Sequence, residues 1–121
     1  MEVTKVHDIS VLHFFGEVSF MEIDHIEKTL ASLKKTKNNK VLIDLTSVDH
    51  IHYVVIKRLV DNVERFRKEK GDIKLVNLNS DTRDLIRFTG ADQHLEDYAS
   101  ISEAILSFLC NVDYNNDVVF Q

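Results

Sequence analysis

Val41-Leu42-Ile43-Asp44-Leu45-Thr46-Ser47-Val48-Asp49-His50-Ile51-His52-Tyr53-Val54-Val55-Ile56-Lys57-Arg58-Leu59-Val60 changes its hydrophobic period part-way along. Residues 41–45 are almost continuously apolar, as a strand covered by helices on both faces must be. From about residue 53 to residue 70, Ile56, Leu59, Val60, Val63 and Phe66 recur at helical spacing. A strand that runs straight into a helix is the repeating unit of an α/β sheet, and so apolar a strand belongs in its middle. Yet the junction, His52-Tyr53-Val54-Val55, has no glycine and no obvious helix cap. It is apolar at the place where α/β proteins usually put their chemistry.

Upstream, residues 2–7 and 9–17 are two β-rich runs separated at His7-Asp8, which predicts a hairpin ending at Gly16. Ser19-Phe20-Met21-Glu22 has capping-box spacing and predicts a helix start, with Ile23, Ile26, Leu30 and Leu33 as one core-facing stripe. Lys37-Asn38-Asn39-Lys40 supplies the loop that ends it. Downstream, Gly71 is expected to close the helix over 53–70 in a left-handed cap. Ile73 to Leu78 reads as another strand. Ser80 is the expected cap of a short helix ending at Gly90, and Leu95 to Tyr98 reads as an edge strand. Ser100-Ile101-Ser102-Glu103 repeats the capping-box spacing before a last helix with Ile101, Ile105, Phe108 and Leu109 on one side. Asn111 to Gln121 fits either a loose tail or an added edge strand. The expected architecture is α/β, a single-layer mixed β-sheet of about four to five strands with about four helices packed on it. Residues 1–110 make the expected domain, with 111–121 outside it.

Composition narrows the function. A chain of 121 residues forms one domain with a sizeable core. A net charge of −5 speaks against nucleic acid, whose phosphates need a clustered excess of Lys and Arg. The basic run Lys34-Lys35-Thr36-Lys37 reads as the solvated end of a helix, where cations favour the dipole. No apolar run approaches the ~20 residues that cross a bilayer, and the N-terminus lacks the apolar core of a signal peptide. A cytosolic protein without a membrane role is therefore expected. With one cysteine, Cys110, an intramolecular disulfide is excluded; its Ile- and Leu-rich surroundings predict a small buried residue rather than a nucleophile.

Gly16-Glu17-Val18 before the first helix, Val41-Leu42-Ile43-Asp44-Leu45-Thr46-Ser47-Val48, the helix that follows, and Phe88-Thr89-Gly90-Ala91 carry a resemblance over residues 3–110. In order and spacing they resemble a STAS domain, the bacterial anti-sigma factor antagonist family. That resemblance implies a non-enzymatic protein-interaction domain whose partner is an anti-sigma factor acting as a serine kinase. In the family, a serine in an Asp-Ser-Ser-Gly-like turn at the start of the second helix is phosphorylated, which releases the partner. The matching turn here is His52-Tyr53-Val54-Val55, so Val54 stands where the phosphorylatable serine would be, and Ser19 replaces an earlier family acid. Valine has no hydroxyl, so the usual switch cannot operate there. On a helical wheel Val54 falls with Lys57, Arg58 and Asp61, which predicts exposure. The expected partner surface is Ser19, Phe20, His50, His52, Tyr53, Val54 and Lys57, with Met21 beside Phe20, and homodimerisation through the same patch competes with capture of another protein. Ser19 and Thr89 are the remaining phosphorylation candidates, although each also has a structural explanation.

Other function classes leave weaker marks. His50 and His52 flank one residue and, with Asp49 or Asp44, suggest a metal pair, but no recognised ligand spacing completes it, and no metal or cofactor is expected. His52, at a helix start, is expected to be neutral. Asp44 lies in an apolar strand and must be paired; as a catalytic base it has no nucleophile at a recognisable spacing. The resemblance gives Asp44 a loop-ordering role instead. Sensing of a small ligand has no readable signature.

Overall fold

The computed structural model describes residues 1–109, so the expectations for Cys110 and for segment 111–121 lie outside the described residues. Among the described residues five strands stand in chain order across one sheet: β1 (Glu2–Val6), β2 (Ile9–Val18), β3 (Lys40–Ile51), β4 (Asp72–Val76) and β5 (Asp97–Tyr98). The β1–β2 hairpin is antiparallel and the other three pairings are parallel, which makes the sheet mixed. Four helices of the described residues pack on it: α1 (Ile23–Lys35), α2 (Tyr53–Lys68), α3 (Ser80–Phe88) and α4, residues 101–109. The expected fold class is present, with β3 at its centre.

One face of the sheet is covered by α1, α2 and α3. Leu12, Ile43, Leu75, Leu30, Leu59 and Val63 meet there, each fully buried. The other face carries a smaller cluster of Ile9, Val11, Leu42 and Val76 against Ala104 and Phe108 of α4. Burying apolar groups on both sides of β3 explains its near-continuous apolar run. Lys74 is also on this second face and is fully buried. Its Nζ donates to Ser107 Oγ at 2.8 Å and lies 4.4 Å from the centre of the Phe108 ring. Burial lowers the Lys74 pKa, opposed by the nearby carboxylates of Glu96 and Asp72.

Several boundaries differ from the sequence reading for identifiable reasons. β2 continues past Gly16, which sits at φ 62° beside a register irregularity, so the glycine bends the strand instead of ending it. β3 runs on from Leu45 to Ile51, burying only Val48 and Ile51, because irregular pairing with β2 breaks the alternation a period count needs. Lys70, not Gly71, takes the left-handed position after α2, at φ 63°. The amides of Lys70 and Gly71 bond to the carbonyls of Arg67 and Phe66, a Schellman ending, and a Cβ on Gly71 would meet the Asn39 carbonyl oxygen at 2.3 Å. Close approach, not a left-handed turn, requires that glycine. Asn79 rather than Ser80 caps α3, accepting from the Thr82 amide at 2.8 Å. On α4, Ala104 and Phe108 are the buried residues, and Leu109, one residue and about 100° further round, is exposed.

Candidate functional site

Strands β2 and β3 end side by side, with Val18 opposite Ile51 and the His52 amide bonded to the Val18 carbonyl at 2.9 Å. Their two following helices therefore start next to each other. At the first start the capping box forms as its spacing predicts: Ser19 Oγ accepts from the Met21 amide at 3.3 Å, while the Ser19 amide and hydroxyl each donate to Glu22 Oε2 at 2.8 Å. A 3-10 turn, Phe20–Glu22, precedes α1. The hydrogen bonds from the Ser19 hydroxyl and amide hold the Glu22 carboxyl below its ordinary value. This clamp leaves Phe20 64% and Met21 80% exposed.

The second start does have a cap, and it is His52. Its Nδ1 accepts from the Val54 amide at 3.2 Å, so the proton of the neutral ring sits on Nε2. A histidine is easily overlooked as a cap because serine, threonine, aspartate and asparagine dominate that position. The imidazole also lies edge-on to Phe20, with centroids 6.3 Å apart, and 5.0 Å from the ring of the exposed Tyr53. Phe20, His52 and Tyr53 thus form one aromatic row across both helix starts. Val54 is half-buried, contrary to the helical-wheel expectation of exposure. The wheel ignores the tilt of Cα–Cβ bonds toward the N-terminus, which lays a first-turn side chain back over the segment before the helix.

The other predicted residues fall elsewhere. His50 is exposed and lies with Ile51 against α3, lining a groove of about 350 Å³ with Asp81, Thr82, Asp84, Leu85 and Phe88. Lys57 and Thr89 line a second cavity of about 190 Å³, with Val60, Asp61, Gly90, Ala91 and His94. The Thr89 hydroxyl donates to the Leu85 and Ile86 carbonyls at 2.9 and 3.1 Å, finishing α3. His50 and His52 have different surroundings, and among the described residues no group of three His, Cys, Asp or Glu side chains is placed to hold a metal. Sequence reasoning missed Phe88 as a surface feature, although it is 92% exposed. The spacing Asp81, Asp84, Leu85, Phe88 was the available signal.

Asp44 is paired, as its burial demands. Its carboxylate takes the His13 Nδ1 at 2.8 Å and the Thr46 amide at 3.0 Å, and the Thr46 hydroxyl also donates to it. His13 Nε2 meets Thr4 Oγ1 at 2.9 Å, and Asn77 reaches Thr46 Oγ1 at 2.7 Å. Burial alone would raise the Asp44 pKa, but hydrogen bonds from Thr46 and His13 outweigh it and the value is lowered. The network joins residues of β1, β2 and β3 to the residue that follows β4. Among the described residues no helix is long and apolar enough to cross a membrane.

A comparison with curated proteins finds no match. Solved structures do resemble the chain. A Thermotoga maritima protein assigned as an anti-sigma factor antagonist is 20% identical, covering 88% of this chain and 92% of its own, at a TM-score of 0.81. A STAS domain protein from Planctomyces limnophilus is 26% identical over 88% of this chain and 95% of that one, at 0.76. The Bacillus anti-sigma factor antagonist SpoIIAA, unphosphorylated, is 17% identical over 86% and 91%, at 0.74. The family model of the STAS domain matches residues 1–104, and the chain belongs to the STAS domain family.

Proposed function

We propose that this STAS domain is a non-enzymatic, cytoplasmic partner-binding module of the anti-sigma factor antagonist kind. It holds an anti-sigma factor or serine-kinase-like protein through the aromatic row, without the serine phosphoswitch. The observation that carries this reading is the pairing of exposed Phe20, Met21 and Tyr53 with a valine at the switch position. Exposed apolar groups gathered at two adjoining helix starts favour a protein contact, where aromatic and methionine side chains are enriched. His52 sets the row's geometry and Ser19 fixes the turn that presents Phe20, whereas His50 and Lys57 line separate hollows and are not part of the row. A phosphate adds a charge of about −1.5 to −2, and Val54 offers no oxygen to carry it. The two remaining hydroxyl candidates are already engaged: a phosphate on Ser19 would face the Glu22 carboxylate, and Thr89 Oγ1 is bonded to the end of α3. The interacting unit is taken as residues 1–110.

Capture from the native lysate by wild-type, Phe20→Ser and Tyr53→Asp baits, read by mass spectrometry, tests the proposal. The expected result is a kinase-like anti-sigma factor on the wild type, lost from both variants, with no phosphate on the bait. Equal capture by all three would sink it. Tyr53-dependent self-association in sedimentation, without any captured protein, would assign the row to a homodimer.

A further inference from the structure

The groove between the end of β3 and α3 differs in chemistry from the aromatic row. Asp81, Asp84, Leu85 and Phe88 are spaced i, i+3, i+4 and i+7, so they form one stripe along α3. Thr82 and Ile86 are the helix's buried residues; Asp81, Asp84 and Phe88 face outward, and Leu85, half-buried against the core, forms the floor between them. His50 and Ile51 supply the opposite wall, and the space between is about 350 Å³. That is at the small end of the range for built binding clefts, about 300–1,000 Å³. Phe88 projects at 92% exposure, so a large ring is left in water beside a concave apolar surface.

Charge selects the occupant. Asp81 and Asp84 are exposed on the groove, and among the described residues no Lys or Arg lines it. Arg83, the cation between them in sequence, is bonded to Asp97 at 3.0 Å. Such a rim repels phosphate and acidic segments and attracts ammonium or guanidinium groups. We infer that this groove docks a basic amphipathic helix of a partner protein, its apolar side chains seated between Ile51, Leu85 and Phe88 and its Lys or Arg residues against Asp81 and Asp84. The inference rests on the partner-binding reading and gives the same partner a second contact, of stated charge, beyond the aromatic row.

Isotope-labelled protein titrated with a short helical peptide bearing leucines at i, i+3, i+4 and i+7 flanked by lysines, and with its glutamate-flanked twin, tests the groove. The lysine peptide is expected to shift the amides of His50, Ile51, Leu85 and Phe88 and the glutamate peptide to leave them unmoved. Phe88→Ser, and the double variant Asp81→Asn with Asp84→Asn, are expected to weaken binding about tenfold each. All three positions are exposed, so the variants keep the fold, and their unperturbed spectra verify that. Equal binding of both peptides, shifts centred on Phe20 and Tyr53, or Phe88-dependent dimerisation in the absence of peptide would overturn the inference. Capture of a partner that depends on Tyr53 but ignores both groove variants would remove the groove and leave the proposed function standing. Groove binding of the lysine peptide beside Tyr53-independent capture would do the reverse.

Discussion

His52 performs two tasks that can be separated by substitution. Its Nδ1 caps α2 through the Val54 amide, and its ring packs on Phe20 and Tyr53. Losing an N-cap side chain costs about 1 kcal/mol, and each aromatic contact at this exposure contributes about 0.5 kcal/mol. His52→Ala removes both and is expected to cost about 2 kcal/mol. For a chain of this length about 1 kcal/mol moves the melting temperature by about 4 °C, so a fall of about 8 °C follows. His52→Asp keeps the cap, and its carboxylate at the positive end of the helix adds about 0.3–1 kcal/mol. It loses only the ring contacts, and gain and loss nearly cancel. The Asp variant is therefore expected within about 0.7 kcal/mol of wild type.

Denaturant unfolding of the three proteins at neutral pH, with unchanged slopes, measures this directly. A cycle with Phe20→Ala is expected to show coupling of about 0.5 kcal/mol with His52, absent in the His52→Ala background. If the Asp variant were as unstable as the Ala variant, ring packing would be the whole contribution and the capping argument would be wrong. An Ala variant as stable as wild type would remove both.

Other consequences are testable on the same footing. Lys74→Met is expected to be neutral or to stabilise by up to about 2 kcal/mol, because the Glu96 carboxylate 3.8 Å away is half exposed and offsets only part of the dehydration of a buried ammonium. A loss above about 1 kcal/mol in the denaturant midpoint would show that the Ser107 and Phe108 contacts win. In acid, Asp44 and Glu22 have native pKa values below their unfolded ones. Between the two values the unfolded chain holds the extra proton, so their stabilisation is complete above pH about 4 and is lost as pH falls through the native values. Asp44→Asn is expected to flatten the decline of stability below that pH in a denaturant series; an unchanged slope would mean that its bonds to His13 and Thr46 do not favour the charged form.

Much of this fold was legible because its signals are local. The capping box at Ser19 and the stripe on α1 depend only on residues three and four apart, and both are present. What escaped depended on residues distant in sequence. The close approach that fixes Gly71 comes from Asn39, 32 positions earlier, and the length of β3 from irregular pairing with β2. The partner of Asp44 is His13, on another strand, which no spacing rule reaches. At the site, the capping box and the change of hydrophobic period located the two helix starts and the resemblance marked them as a partner surface, but the contact that joins them, Phe20 against His52, is tertiary. Val54 was misplaced for a different reason, a projection that treats first-turn side chains as if they pointed straight outward.

The exchanges at the start of α2 also make sense together under the proposed reading. A phosphate in a first turn is favoured by free backbone amides and by the positive end of the helix. Here the Val54 amide is already bonded to the imidazole, and the neighbouring surface is occupied by the Phe20 and Tyr53 rings. A carboxylate cap at position 52 would hold the same amide but would bring a charge into the middle of an apolar contact. A neutral histidine supplies the acceptor without the charge and extends the aromatic surface. Residue 54 is then free to become apolar, because neither capping nor modification requires a polar group there. Under that reading the helix start, which would otherwise be arranged around an added anion, serves as a permanent apolar contact, and its occupancy would follow partner concentration and affinity rather than covalent modification.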